Sequence, residues 1–409
     1  MSETLVVDTE TKPSAPVAYW RLITASTLCM VMFGAVLAVP PACLDAIGDE
    51  FGVEYEARGL LITLRMAALL VSLLIVGWLG EGPAKRHFLF WGLIGIGAAQ
   101  GWGAEAGAYS GLQMAMILSG LGKGVVEALL NPLVAQLHPT RSATALNLLN
   151  GLFSVGLVAG ALSAGELQEA GYSWRHAFWL WALAPVICAF LFMTPRYPVP
   201  QTHAVTGVST GDNVRRFLRM PLFWALVVAM VMGGGCEAGL TSWAPNFTAD
   251  VLGASARFGA FATALYGVAM AIGRFGSGAL VMRMSPVRLM IISAALCGAA
   301  TLGLTFAPNL TVVYILFSLG GLFVACFWPT LLSVASDHIA TGSTSLFSLL
   351  AAAGVGGCVL FPWAIGRLGD MLGLRSGVLV LPVSMVILVI VLAFIPRLIR
   401  ASKESETGH

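Results

Sequence analysis

Twelve long apolar stretches constrain the fold of this chain more than any other feature of its sequence. A helix that crosses a bilayer needs roughly 20 mostly apolar residues. The predicted spans are 19–43, 58–80, 87–107, 110–136, 143–165, 174–195, 219–244, 257–281, 287–307, 310–336, 343–366 and 375–396. These stretches are too long for strands and do not alternate, so the sequence predicts an all-α integral membrane protein with twelve transmembrane helices.

The composition supports a lipid environment and excludes several classes of function. The 409 residues are 58% hydrophobic and only 10% charged, whereas a soluble chain carries about 25% charged residues. A net charge of +2 provides no basic surface for nucleic acid. The six histidines and seven cysteines form no metal-binding pattern and no nucleophile–base motif. We therefore expect a bilayer as partner, no metal, no cofactor and no enzymatic activity.

A polar stretch, "TPRYPVPQTHAVTGVSTGDNVRRFLRM", divides the twelve spans into six and six. The acidic start of the chain, "MSETLVVDTETKPSAPVAYW", lacks the pattern of a signal peptide. The predicted units are a disordered tail at 1–18, a six-helix bundle at 19–195, a linker at 196–218, a second bundle at 219–396 and a tail at 397–409.

The loop charges predict the orientation. With the N-terminus inside, the cytoplasmic loops hold most of the basic residues, including Lys85, Arg86 and Arg283, and the opposite loops hold acids such as Asp49 and Glu50. We expect both termini in the cytoplasm, a bacterial inner-membrane location and a monomer.

The two halves of the chain repeat each other. "GWLGEGPAKR" at 77–86 parallels "GALVMRMSPVR" at 278–288, and "ALLNPLVAQL" parallels "CFWPTLLSVA", with Pro132 corresponding to Pro329. Two homologous six-helix bundles imply a substrate site near the midplane, between the halves.

The 77–86 turn resembles the signature of the major facilitator superfamily, Gly-x-Leu-x-Asp-Arg-x-Gly-Arg-Arg. The matching positions are Gly77, Leu79, Lys85 and Arg86, with Glu81 in place of the Asp and Ala84 in place of the second Gly. "EALLNP", "GRFGSGALVMRMSP" and "FWPTLLS" resemble the fucose permease branch of sugar–proton symporters. This resemblance implies two pseudo-symmetric bundles that alternate in access, with Glu127 as a proton-coupling carboxylate. Unlike that branch, the chain has no acid in its first helix before Asp45.

The segment "GKGVVEALLNP" places Lys123 and Glu127 one turn apart near the middle of a span. Intramembrane charges are expensive and mark functional sites. Glu127 is predicted to couple protons, with a permanent salt bridge as the alternative. Lys123 either binds an anionic substrate group or neutralises an acid, and Asn131 lies on the same side. Arg65 either reaches the outer interface or binds a carboxylate or phosphate.

The second half contains Glu237, which follows three glycines and is the second candidate for proton coupling. A helix–helix hydrogen bond is its alternative role. The other candidate substrate contacts are amides and aromatic side chains, with simple packing as their alternative, namely Asn150, Trp243, Asn246, Tyr266 and Trp328.

A third group is predicted at cytoplasmic helix ends, where it controls gating or simply sets the topology: Gly77, Glu81, Lys85, Arg86, Arg274 and Arg283. Together these features predict a proton-coupled transporter of a small polar solute, a sugar or sugar acid. The alternatives are a proton-antiport exporter of drug-like or siderophore-like molecules and a carrier of a small organic anion.

Overall fold

The computed structural model describes residues 18–79, 85–138, 142–194, 197, 215, 217–339 and 344–407, and the described part of the chain is helical with no strand. The first half contains α1 Tyr19–Ala42, α2 Leu44–Phe51, α3 Tyr55–Leu79, α4 Lys85–Ala104, α5 Tyr109–Leu137, α6 Ser142–Glu169 and α7 Arg175–Phe192. The second half contains α8 Pro221–Leu252, α9 Ala256–Val281, α10 Pro286–Leu304, α11 Leu310–Val324, α12 Phe327–His338, α13 Thr344–Leu372, α14 Leu374–Gly377 and α15 Val380–Thr407.

The described helices correspond in position to the twelve predicted spans. Eleven are long and apolar enough to cross a bilayer by length and hydropathy, with α11 and α12 counted as one span and α14 and α15 as another. The twelfth is α4, a 20-residue helix with lower mean hydropathy. The all-α prediction is confirmed.

The tenth and twelfth spans differ most from the prediction. The tenth span is broken at 325–326, between α11 and α12, shortly before Pro329. Proline has no N–H to donate and its ring disfavours a continuous helix. The last helix continues to Thr407, beyond the predicted end at 396. Most of the predicted linker and nearly all of the predicted N-terminal tail lie outside the described residues.

Glycines set how closely the helices approach within each bundle. A Cβ atom built on Gly34 would overlap the backbone of Phe153 in α6, and one on Gly156 would overlap the backbone of Val31 in α1. In the second bundle, a Cβ atom built on Gly234 of α8 would overlap the backbone of Gly354 in α13. Small residues allow membrane helices to pack backbone against backbone, and these contacts fix which helix faces point inward.

The two bundles meet mainly along two helix pairs, α3 with α13 and α6 with α9. Gly59 of α3 lies against the carbonyl of Pro362, and Gly366 of α13 lies against the carbonyl of Tyr55. We call the end of the molecule where α3 begins and α13 ends the acidic end, because Asp45, Asp49 and Glu50 lie there. The opposite end, where α1 begins and α15 ends, is the terminal end.

Candidate functional site

The charged face of α5 is oriented by the glycines on either side of Lys123. Gly120 and Gly124 pack against carbonyl groups of α3, and Gly122 packs against a carbonyl group of α4. These contacts leave no room for side chains on those two faces. Lys123 and, one turn further on, Glu127 therefore project on the remaining side, toward α1 and α6.

Lys123 and Glu127 form an ion pair within α5. The Lys123 Nζ atom lies 3.6 Å from the Glu127 Oε2 atom, and the two side chains are 12% and 34% exposed. The rings of Phe33 and Phe153 each have their centre 5.7 Å from the ammonium group. Among the described residues, Glu127 Oε2 and Asn131 Oδ1 are buried without a hydrogen bond. The pair is thus an ionic contact without a hydrogen bond, although the order Lys-then-Glu is the less favourable one.

Arg65 lies in the interior of the first bundle and does not reach the outer interface. The residue is 1% exposed, and its Nη1 atom donates to the carbonyl oxygen of Val36 at 2.8 Å. Its Nε and Nη2 atoms are buried and have no hydrogen-bond partner within the described ranges. The structure therefore excludes the outer-interface alternative and leaves a buried guanidinium with free donors.

Glu237 is paired with Arg274, which was predicted to lie at a cytoplasmic helix end. The Arg274 Nη2 atom donates to Glu237 Oε1 at 3.2 Å, and both side chains are 23% exposed. The prediction that Arg274 lies at the end of its helix is wrong, because α9 continues to Val281. Tyr266 is fully buried and its hydroxyl donates to the Glu237 carbonyl oxygen at 3.3 Å, so this ring is covered in this state.

The two carboxylate–cation pairs lie at similar depths. At 1.5 Å per residue, Glu127 lies about 27 Å along α5 and Glu237 about 23 Å along α8, both measured from the acidic end. Cys358 of α13 donates its thiol to the carbonyl oxygen of Gly234, about one turn from Glu237, and packs against a cluster of the first bundle that includes Leu61 and Met66. The pairs, one in each bundle, therefore face a common central region.

The acidic end is closed by an ion network that crosses between the bundles. Arg58 Nη1 lies 2.9 Å from Asp45 Oδ1 and 3.5 Å from Asp250 Oδ2 of the second bundle. Asn246 of α8 donates its Nδ2–H to Asp45. The Tyr55 ring lies 5.2 Å from the Arg58 guanidinium. This network links α2 and α3 to α8.

A second set of contacts caps α3 from the opposite bundle. The two carboxylate oxygens of Asp370 accept from the backbone N–H groups of Tyr55 and Glu56, each at 2.8 Å. Glu56 in turn accepts from Arg367 at 2.6 Å and from the Trp363 indole at 3.1 Å. A carboxylate at a helix N-terminus satisfies free N–H groups and interacts favourably with the helix dipole. Closure of the acidic end thus completes a helix cap.

Two residues predicted as substrate contacts belong to this closed end. Trp243 donates to the Pro362 carbonyl oxygen at 3.1 Å and packs edge-on to Tyr55, and Asn246 is fully buried beside Asp45. Trp328, another predicted contact, is partly buried against Gly354.

The roles of Arg58, Asp250, Arg367 and Asp370 were not predicted from the sequence, because charges near helix ends also set the membrane topology. The clustering of opposite charges at the ends of α3 and α13 was the available signal.

The comparisons with known proteins agree with this architecture. The model of the Major Facilitator Superfamily matches residues 23–339 and 247–408, which together cover most of the chain. The chain belongs to the major facilitator superfamily.

Several members of this superfamily resemble the chain along most of its length. The 4-hydroxybenzoate transporter PcaK of Pseudomonas putida is 24% identical over 88% of this chain and 85% of its own. The fold matches that of a bacterial homologue of the human lysosomal transporter Spinster, with a TM-score of 0.74 and 18% identity over 96% of this chain and 98% of that one. It also matches the E. coli fucose:proton symporter FucP, with a TM-score of 0.64 and 19% identity over 92% and 99%. The chain is thus a membrane transporter in family and fold.

Only part of the signature at 77–86 lies among the described residues. Glu81 lies outside them, and so do the side-chain surroundings of Gly77 and of Asn150, a predicted substrate contact. Lys85 begins α4 and its Nζ donates to Gln136 Oε1 at 3.4 Å, while Arg86 donates to the His87 ring at 3.1 Å. Arg283 is exposed in the turn after α9. These three residues lie at the terminal end, as expected, and their gating role stays a prediction.

The closed network at the acidic end should respond to pH. Burial, followed by the charge of Asp250, raises the pKa of Asp45 from 3.8 to about 7, against the opposing effect of Arg58. Opening exposes the carboxyl group and returns its pKa toward the ordinary value, so the closed state holds the proton more tightly. Closure should therefore become more favourable as pH falls from about 7 to about 4, by up to about tenfold per pH unit, with no further gain outside this window.

Electron–electron distances between spin labels at the exposed Tyr172 and Phe306, one in each bundle, would measure this equilibrium. Asp45→Asn should lose most of the pH response. An equal response in Asp45→Asn would show that Asp250 or another group titrates instead.

Proposed function

We propose that this transporter couples the movement of a small polar solute, a sugar or sugar acid, to the movement of protons. The observation that supports this proposal is the carboxylate–cation pair at mid-depth in each bundle, Glu127 with Lys123 and Glu237 with Arg274. A carboxylate whose partner can be withdrawn takes up a proton in a low-dielectric site and releases it when the cation returns. Such a group carries a proton without leaving a bare charge in the membrane.

In alternating access, the rocking of the two bundles changes the surroundings of each pair, and this change allows the cation to be withdrawn from its carboxylate. With the positive-inside orientation, the acidic end faces outward and the described state is closed to the outside. The solute and a proton enter together from the open side, and the neutralised carrier rocks so that the central region opens on the other side. The contacts of Asp370 and Asn246 break as the acidic end opens.

Relatives support solute transport of this general kind. FucP is named as a fucose:proton symporter, and PcaK is named as a transporter of 4-hydroxybenzoate, an aromatic carboxylate. The low identity leaves the solute of this protein to be established by experiment.

The test is proton movement into proteoliposomes that contain the purified protein and an internal pH dye. Monosaccharides, sugar acids and small carboxylates, including 4-hydroxybenzoate, are added one at a time, with protein-free vesicles as the control. We expect internal acidification with at least one compound. Solute uptake without any change in pH would exclude proton coupling. No response to any compound, with protein shown to be folded, would favour the exporter alternative.

A further inference from the structure

Arg65 is a buried cation without an acidic partner among the described residues. In the middle of the described spans there are three cations, Arg65, Lys123 and Arg274, and two carboxylates, Glu127 and Glu237. Each carboxylate is paired with a cation other than Arg65. Arginine cannot lose its proton in a protein, so one positive charge remains in the membrane interior.

An uncompensated charge at this depth is costly. An arginine inside a membrane-spanning segment is rare, and it normally pairs with another charge or with backbone carbonyl groups. Here the side chain is 1% exposed, and its hydrogen bond to the Val36 carbonyl oxygen holds it across the bundle from α3 to α1. A single neutral acceptor does not balance the charge, and two of the three guanidinium nitrogens remain unsatisfied.

The surroundings of Arg65 form one side of the central region. Its backbone carbonyl packs against Gly120, which lies one turn before Lys123 on α5. Its hydrogen-bond acceptor, Val36, lies about one turn from Phe33, whose ring flanks the Lys123 ammonium. Arg65 of α3 and Lys123 of α5 therefore differ in depth by about one helical turn, with Arg65 nearer the acidic end.

We propose that the transported solute carries one carboxylate group and that Arg65 binds this group through its free Nε–H and Nη2–H donors. This inference rests on the proposed transport function and narrows its substrate class to a small organic monoanion. An arginine presents a planar fork that matches a carboxylate in two parallel hydrogen bonds. One negative charge balances the one unpaired cation, whereas a phosphate ester carries about 1.5 to 2 negative charges and overcompensates it. Arg65 thus determines specificity, and Glu127 remains available for the proton.

Binding to the purified full-length protein in nanodiscs tests this assignment by thermal unfolding. The probes are acids with a neutral partner of similar shape: gluconate with glucose, benzoate with benzyl alcohol, and lactate with propane-1,2-diol. Glucose 6-phosphate serves as the phosphate probe. We expect at least one carboxylate to raise the unfolding temperature, and its neutral partner and the phosphate to have no comparable effect.

Variants distinguish a binding role from a packing role. Arg65→Gln should weaken binding of the active carboxylate by at least about 30-fold, since it removes one side of a buried charge pair. Without any probe, the same variant should unfold at a temperature equal to or above that of the wild type, because an unpaired buried charge is gone. Arg65→Lys, which keeps the charge but loses the fork, should bind with intermediate affinity. Arg288→Gln, at an exposed position, is the matched control and should bind normally.

Three results would overturn the inference. The first is unchanged binding in Arg65→Gln, or a lower unfolding temperature of that variant without a probe, which would indicate a structural role. The second is equal or tighter binding of the neutral partner or of glucose 6-phosphate. The third is that no carboxylate binds. If vesicles still acidify with a neutral sugar, proton-coupled transport stands and only the anion assignment fails. If no compound binds or moves protons, both fail.

Discussion

Glu127→Gln should abolish uphill, proton-driven accumulation while leaving exchange of solute across the membrane. Gln keeps the shape of the side chain but cannot take up or release a proton, and it leaves Lys123 without its ionic partner at 3.6 Å. We expect accumulation under an imposed pH gradient to fall to simple equilibration, a loss of about tenfold per pH unit of gradient for one coupled proton, since each pH unit is worth about 1.4 kcal/mol. The measurement compares gradient-driven uptake with counterflow of the compound identified in the dye assay.

The control is Glu169→Gln, which changes a carboxylate at an exposed end of α6. A double variant, Lys123→Gln with Glu127→Gln, removes both charges. It distinguishes loss of coupling from destabilisation by an unpaired Lys123. Because no charge is left unpaired on α5, the double variant should recover stability but not accumulation. Full accumulation by Glu127→Gln would refute the coupling role of Glu127 and shift it to Glu237.

Gly59→Leu should arrest the transporter with its acidic end open. A Cβ atom on Gly59 would overlap the carbonyl oxygen of Pro362 in the opposite bundle, and the remaining Leu atoms also need space there. Backbone atoms cannot move aside as a flexible side chain can, so the halves cannot approach to the described distance. We expect net transport to fall by at least about tenfold, since overpacking costs about 1–3 kcal/mol, while the protein folds and still binds solute.

Spin labels at Tyr172 and Phe306 report the arrest as a longer distance that no longer shortens at low pH. Gly276→Leu is the matched control, because a Cβ atom on Gly276 meets no other atom within 4 Å. An unchanged distance distribution with normal transport in Gly59→Leu would show that closure at this end tolerates the added side chain.

The position of the charges along each helix could be predicted from the sequence. Lys123 and Glu127 interrupt an apolar run, and so does Glu237, and the rise of a helix converts their residue numbers into depth. The family resemblance of "EALLNP" points to Glu127, which the structure places in an ion pair with Lys123, and its coupling role stays a prediction.

The partners of these charges could not be predicted in the same way. Glu237 pairs with Arg274 from a different helix, 37 residues away, while the sequence placed Arg274 at a helix end. Asp370 caps a helix whose first residues lie more than 300 positions earlier, at Tyr55 and Glu56. Asn246 suggested a ligand contact because buried amides need partners, and its partner is Asp45 of the other bundle.

The sequence by itself determined the membrane class, the twelve spans, the division into two related halves and the depth of the central charges. Hydropathy, helical rise and sequence repetition can each be read along the chain without knowing which helices are in contact. Only the tertiary structure decided that Arg65 has no acidic partner among the described residues, that Glu237 meets Arg274, and that the acidic end is closed by contacts between the bundles. These outcomes depend on which helix faces meet. Backbone contacts at glycines such as Gly59 and Gly120 determine those faces, and the contacting residues lie far away in the chain.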